Sequence, residues 1–371
     1  MPSHGLGGSV ELRPPMPEGI ELRLGADGRR TTGETRELAN YVAGEPTRRR
    51  RAGGETWTSG AFADASADLG GMTVTAGVRI DHWQVAQGHL FEQTIATGAV
   101  TRDEEYADRD GWLPTARGGI VAPLGRGFSA RGAGYLGWRM PTLNELFRPF
   151  RAGSDATAAN PNLDPERLAG TEAGLDYAHG RWSLSATGFV NRLRNAIANV
   201  TLGQGPGIFP QVGFVAAGGA FRARENVDAV KVRGVEASAQ WSGGPWALRA
   251  AASLTHARME TSGAAANLDG LRPAQTPNFA GSISASWERN GWSAELELRR
   301  IGAQYEDDLS TRLLKAATTL DASASLPLSR HWQIVARAEN LTDALVMAAL
   351  NGDGSIERAT PRTLWIGLRL R

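Results

Sequence analysis

Apolar and polar positions alternate with a period of two over much of this chain. Trp292, Ala294, Leu296 and Leu298 share one side of a segment, and Ser293, Glu295, Glu297 and Arg299 the other. Phe279, Gly281, Ile283, Ala285 and Trp287 alternate in the same way with Ala280, Ser282, Ser284, Ser286 and Glu288. Residues 72–80, 320–326, 332–338 and 364–370 repeat the pattern. On a helix a period of two would scatter these apolar residues around the whole circumference, so the pattern predicts strands. The polar faces carry full charges, among them Arg79, Glu295, Arg299 and Arg337. Such charges fit the wet lumen of a wide barrel, whereas a small barrel is packed with side chains.

The connections point the same way. Tight turns at residues 125–128, 180–182, 243–246, 290–292 and 329–332 each deliver an aromatic: Phe128, Trp182, Trp246, Trp292 and Trp332. Long polar loops near 88–111, 140–167, 202–223, 260–276, 305–316 and 343–360 separate the turns. Short turns at one end, long loops at the other and an interfacial girdle of aromatics characterise a transmembrane β-barrel. Counting segments between turn signals gives about fifteen strands, beginning near Gly19 and ending at Arg371, with residues 31–41 poorly patterned. Residues 1–18 are expected to be a poorly defined N-terminal segment and 19–371 an all-β, antiparallel, partial barrel domain.

Composition narrows the function. The formal net charge is +1 and charged residues make up 21%, so no global basic field exists to attract nucleic acid. Cysteine is absent, which removes disulfides, thiolate nucleophiles and cysteine-ligated metals. The six histidines lack paired ligand spacing, so neither a metal nor a cofactor is expected. No Gly-x-Ser-x-Gly, Walker or His-Glu-x-x-His motif occurs, and enzymatic activity is not expected. The run Arg48 to Arg51 reads as the charged end of a strand over 55–69, with contact to lipopolysaccharide phosphates as the alternative. Tyr305 to Asp308 reads as an exposed acidic loop, because its carboxylates lack the alternating spacing of a calcium loop.

Residues 139–166 contain Arg-Met-Pro-Thr-Leu-Asn-Glu-Leu-Phe-Arg-Pro-Phe-Arg and then Asn-Pro-Asn-Leu-Asp-Pro-Glu. Pro141, Thr142, Leu143 and Glu145 compose a capping box on a short helical turn, expected to fold a long loop back over the barrel mouth as a rigid staple. Together with Asn160, Pro161, Pro165, Glu166 and Glu172, this stretch resembles the mid-barrel signature of TonB-dependent outer-membrane receptors. Glu236 in the segment 233–236, residues 304–308, Asn340 in the segment 339–343, and Pro361-Arg362 resemble further motifs of that family in its order.

The resemblance implies a 22-stranded barrel closed by an N-terminal plug, importing a scarce nutrient such as a ferric siderophore with energy from TonB. It implies integration in the outer membrane of a Gram-negative cell, among its lipid and lipopolysaccharide. No secretory signal, TonB box or plug is recognisable from Met1 onward, and the last residue is Arg371 rather than an aromatic. The chain is therefore expected to be a C-terminal fragment of such a barrel. The alternatives are a plugless or degenerate barrel acting as a passive pore or inert remnant, and a soluble all-β binding protein. Phe147, Arg148, Phe150 and Arg151 are the expected substrate entrance.

Overall fold

The computed structural model describes residues 3–370; Arg371, the expected end of the last strand, lies outside the described residues. One antiparallel sheet carries fifteen long strands in chain order. They are β1 (Ser3–Leu12), β2 (Ile20–Val42), β3 (Glu45–Leu69), β4 (Met72–Thr94), β5 (Arg109–Gly125), β6 (Phe128–Arg139), β7 (Glu166–His179) and β8 (Trp182–Gln204). β9 (Ala220–Gly243), β10 (Trp246–Glu260), β11 (Phe279–Arg289), β12 (Trp292–Ile301), β13 (Ala317–Pro327), β14 (Trp332–Glu339) and β15 (Thr363–Leu370) complete the wall. Each strand pairs with the next, and among the described residues no ladder joins β15 to β1. Helical structure among the described residues is confined to α1 (Leu143–Phe147) and a 3₁₀ turn at Gly263–Leu268.

The register sorts the two faces as the alternation predicts. Leu298, Leu296 and Ala294 lie opposite Ile283, Ala285 and Trp287 on one neighbour and Leu320, Ala322 and Ala324 on the other. No second sheet covers this face among the described residues: Ile366 is 80% exposed, Leu364 66% and Ile283 60%. A soluble sandwich buries such a surface, so the exposed belt argues against the soluble alternative. The opposite face is a lattice of ion pairs. Arg79 bridges Asp27 (2.6 Å) and Asp81 (2.6 Å), Arg117 binds Asp64 (2.8 Å), Arg131 binds Asp176 (2.9 Å), and Arg337 binds Glu339 (2.8 Å).

The girdle forms at the short-turn end. Phe128 lies against Tyr177 with ring centroids 4.6 Å apart, and Trp182 lies 6.3 Å from Trp241. Trp246 is paired with Trp287, and Trp246, Trp292 and Trp332 stay about half exposed. Asn290 (φ 53) and Gly291 (φ 83) both occupy the left-handed region, the geometry that a two-residue turn needs to match strand twist.

Several expectations are corrected. The N-terminal stretch is not irregular: β1 pairs with β2 from Ser3↔Gly33 to Leu12↔Leu24. Gly5, Gly7 and Gly8 interrupt any apolar alternation there, so only the backbone ladder defines the strand. Residues 31–41 continue β2, and residues 88–94 are the upper end of β4 rather than loop. The arginine run lies near the start of β3, which begins at Glu45 rather than 55; Arg49 and Arg51 are exposed, whereas Arg50 is buried opposite Glu37 and Glu92. Asp307 and Asp308, read as an exposed acidic loop, are 6% and 7% exposed. Asp307 accepts from the amides of Thr311 (3.0 Å) and Arg312 (2.7 Å), and Asp308 from Thr201 (2.7 Å), so both carboxylates serve as loop brackets.

β2, β3, β4, β8 and β9 run to between 23 and 25 residues. A tilted strand needs only about 9–11 residues to cross a bilayer. The surplus stands beyond the apolar belt as a wall.

Candidate ligand-binding site

The segment between β6 and β7 folds back against the inner side of that wall. Thr142 caps α1 by accepting from the Glu145 amide (3.2 Å), while the Glu145 carboxylate accepts from the Thr142 amide (2.7 Å). The capping box is therefore formed as the sequence predicts. Arg139 donates twice to Glu145 (2.9 and 3.1 Å) and also engages Glu166, whose other oxygen accepts from the Ile197 amide (2.8 Å). Burial pushes the Glu145 carboxyl up, yet the hydrogen bonds from Arg139 and Thr142 outweigh it and hold it below its ordinary value of 4.5. A carboxyl depressed in the folded state stabilises it above 4.5 and loses that contribution as pH falls through the depressed value. Protease cleavage within 140–165 is accordingly expected to accelerate as pH falls below 4.5 in the parent chain, and a Glu145→Gln variant is expected to lack this acceleration.

The C-terminal carbonyls of α1 are capped from the adjoining wall: Arg224 on β9 donates to the carbonyls of Asn144 and Arg148 (2.9 Å) and lies 5.0 Å over the Phe150 ring. Phe147 does not face the entrance. It is 2% exposed, stacks on Tyr106 at 5.3 Å, and belongs to a core with Trp83, Leu90, Leu113, Leu146 and Leu163. A Cβ added to Gly88 would lie 2.3 Å from the Phe147 ring, so only glycine admits the ring there. Phe147 thus anchors the loop, and the expectation that it lines the entrance is corrected.

Arg148, Phe150 and Arg151 do come together. With Tyr41, Arg50 and Phe214 they line a cavity of about 690 Å³ at the rim. Arg50 pairs with Glu92 (2.8 Å) and Glu37 (3.2 Å), and Arg148 pairs with Glu37 (2.6 Å). Arg151 has no carboxylate within ion-pair distance among the described residues; it donates to the carbonyls of Val212 (2.5 Å) and Phe214 (2.8 Å). Burial and then the neighbouring Arg50 hold its guanidinium below the ordinary arginine value. An exposed cation without a carboxylate partner, in a cavity also lined by Phe150 and Phe214, is chemistry suited to an anionic ligand. Sequence reasoning missed Arg50, although it shares a β3 face with Arg48 in the run; Tyr41 and Glu37 carried no local signal.

The other motif positions lie outside the rim cavity. Asn160 donates to the Arg224 carbonyl (2.9 Å) and accepts from the Asn162 amide (3.0 Å). The Pro161 carbonyl accepts from Arg109 (3.1 Å), and Pro141 and Pro165 are buried in the folded-back loop. Glu172 lies 4.0 Å from Arg131, and Glu236 sits opposite Thr187 and Ser253 on the polar face. Asn340, 4% exposed, brackets its loop by donating to the Ala344 carbonyl (2.9 Å) and accepting from the Ala344 amide (2.9 Å). His82 contacts Asp110 (3.2 Å) and His89 contacts Glu34 (3.2 Å), each a side-chain pair.

A family model described as TonB dependent receptor-like, beta-barrel, matches residues 5–341. The chain belongs to this family. It is 24% identical over 282 residues to the vitamin B12 transporter BtuB of Photobacterium profundum, covering 76% of this chain and 40% of that protein. Among solved structures it resembles the ferric yersiniabactin uptake receptor FyuA of Yersinia pestis, with a TM-score of 0.74, 16% identity, and coverage of 99% of this chain and 54% of that one. The copper transporter OprC gives a TM-score of 0.76 at 16% identity, with 99% and 57% covered. The chain therefore spans about 40% of the curated relative and little more than half of these structures.

Proposed function

We propose that this chain forms the larger, C-terminal part of the barrel and the outer mouth of an outer-membrane receptor that imports a small anionic nutrient, a ferric siderophore chelate being the best-fitting class. The observation that carries this is the rim cavity with Arg151, which has no carboxylate partner among the described residues, beside Arg148 and Phe150. Relatives and structural neighbours named as transporters of vitamin B12, copper and ferric yersiniabactin support a transport role over catalysis. In this reading the ion-paired lumen is a hydrated path, and a plug and a TonB-binding segment act with this barrel in the whole receptor. Uptake of a radiolabelled iron chelate by cells producing the full-length receptor tests it. Arg151→Ala is expected to raise the half-saturating concentration about tenfold, the loss of one charged hydrogen bond, and deletion of the TonB system to abolish uptake. Unchanged half-saturation would remove Arg151 from the site, and uptake surviving without TonB would favour the passive-pore alternative.

A further inference from the structure

Above the apolar belt, on the lipid-facing side of β8, β9 and β10, three cations stand in one row: Arg192 opposite Lys231, and Lys231 opposite Arg258. The row beneath reads Val190, Arg233, His256, and the next Gly188, Val235, Leu254. Directly opposed like charges destabilise a sheet, so this arrangement needs anions to offset it. The protein supplies one: Glu260 pairs with Arg192 (2.8 Å) and with Lys231. Among the described residues Arg233 and Arg258 have no carboxylate within ion-pair distance, and Lys231 remains 55% exposed.

Height fixes what can reach these cations. Ten residues separate Trp182, in the girdle, from Arg192. At about 3.3 Å per residue and a tilt near 40°, this climb is about 25 Å, the height of the apolar band. The cations thus lie where the outer-leaflet headgroups begin. Below them a groove of about 760 Å³ descends past Arg233 and His256 between Val190, Val235 and Leu254, with its floor at Ala173 and Gly188. A Cβ at Gly188 would meet nothing within 4 Å, so the floor is open. Elsewhere on the outer face, β4 and β5 present rings instead, His82 against Trp112 at 4.8 Å.

We infer that this face is a binding site for a phosphorylated outer-leaflet glycolipid of the lipid A type. Its phosphates would sit on Arg192, Lys231, Arg233 and Arg258 and one acyl chain in the groove. Cationic clusters contiguous with an apolar surface select anionic headgroups in this way. The inference rests on the outer-membrane placement proposed above and adds a lipid site distinct from the rim cavity.

The test uses the full receptor extracted from outer membranes in mild detergent, with co-purifying lipid A measured by mass spectrometry and rebinding measured with bisphosphorylated lipid A, dephosphorylated lipid A and inorganic phosphate. Expected are retention of lipid A, rebinding weakened at least about tenfold without the phosphates, and a similar loss in an Arg192→Gln, Arg233→Gln, Arg258→Gln variant. The corresponding triple lysine variant, which keeps the charge, should retain binding and so separates lost charge from lost folding. Equal binding of dephosphorylated lipid A, equal binding of inorganic phosphate, or full retention by the glutamine variant would overturn the site. Absence of the receptor from the outer-membrane fraction would overturn the placement beneath it, and the site with it.

Discussion

Truncating Phe147 to alanine is expected to cost about 3 to 5 kcal/mol, the usual penalty for emptying a buried aromatic site. Among the described residues the ring is the largest fully buried side chain, and it ties the folded-back loop to β3, β4 and Tyr106. Its loss would free the segment bearing Arg148, Phe150 and Arg151, so protease protection of residues 140–165 should collapse while the barrel keeps its heat-resistant mobility on gels. Gly88→Ala should reproduce much of this from the opposite side, because its Cβ would occupy the ring's position. Undiminished protection of the loop in both variants would show that the ring does not anchor it.

The second large effect separates the two faces of one strand. Arginine at Ile283, on the apolar face and four residues from Trp287, lies near the bilayer midplane and should cost about 2 to 4 kcal/mol of folding free energy in lipid vesicles. Arginine at Ser282, one residue away and facing the lumen, meets water and the polar lattice and should change stability by less than about 0.5 kcal/mol. Denaturant titration of both variants in the same vesicles measures the difference. Equal costs would mean that the faces have been assigned wrongly.

The barrel was readable in the sequence because its two defining forces are local. Alternation along 279–287 and 292–299 records which side meets lipid, and the residues after each short turn record the interface. Turn signals predict about fifteen strands, and among the described residues fifteen form the wall, the first beginning at Ser3 rather than near Gly19. The α1 capping box was legible for the same reason, since both partners lie within four residues. Long-range pairing left no such trace. The burial of Asp308 depends on Thr201, which is 107 positions away, and the burial of Arg50 depends on Glu92 and on the Pro149 carbonyl 99 positions away. Within a run of four arginines nothing local marks Arg50 as the buried one until β2 and β4 are seen to extend beside it. Phe147 failed for a related reason, because an aromatic beside Arg148 and Phe150 has the same local context whether it points into the cavity or into the wall.

If β11 and β12 cross a bilayer, even-numbered positions of β12 face lipid and odd-numbered positions a wet lumen. The absence of native cysteine makes single-cysteine scanning clean. Cysteines placed one at a time at residues 294 to 299, in outer membranes of cells producing the full receptor, would be challenged with a membrane-impermeant maleimide. Labelling is expected at Glu295, Glu297 and Arg299 and protection at Ala294, Leu296 and Leu298. Labelling with the opposite phase, or at all six positions alike, would contradict this placement.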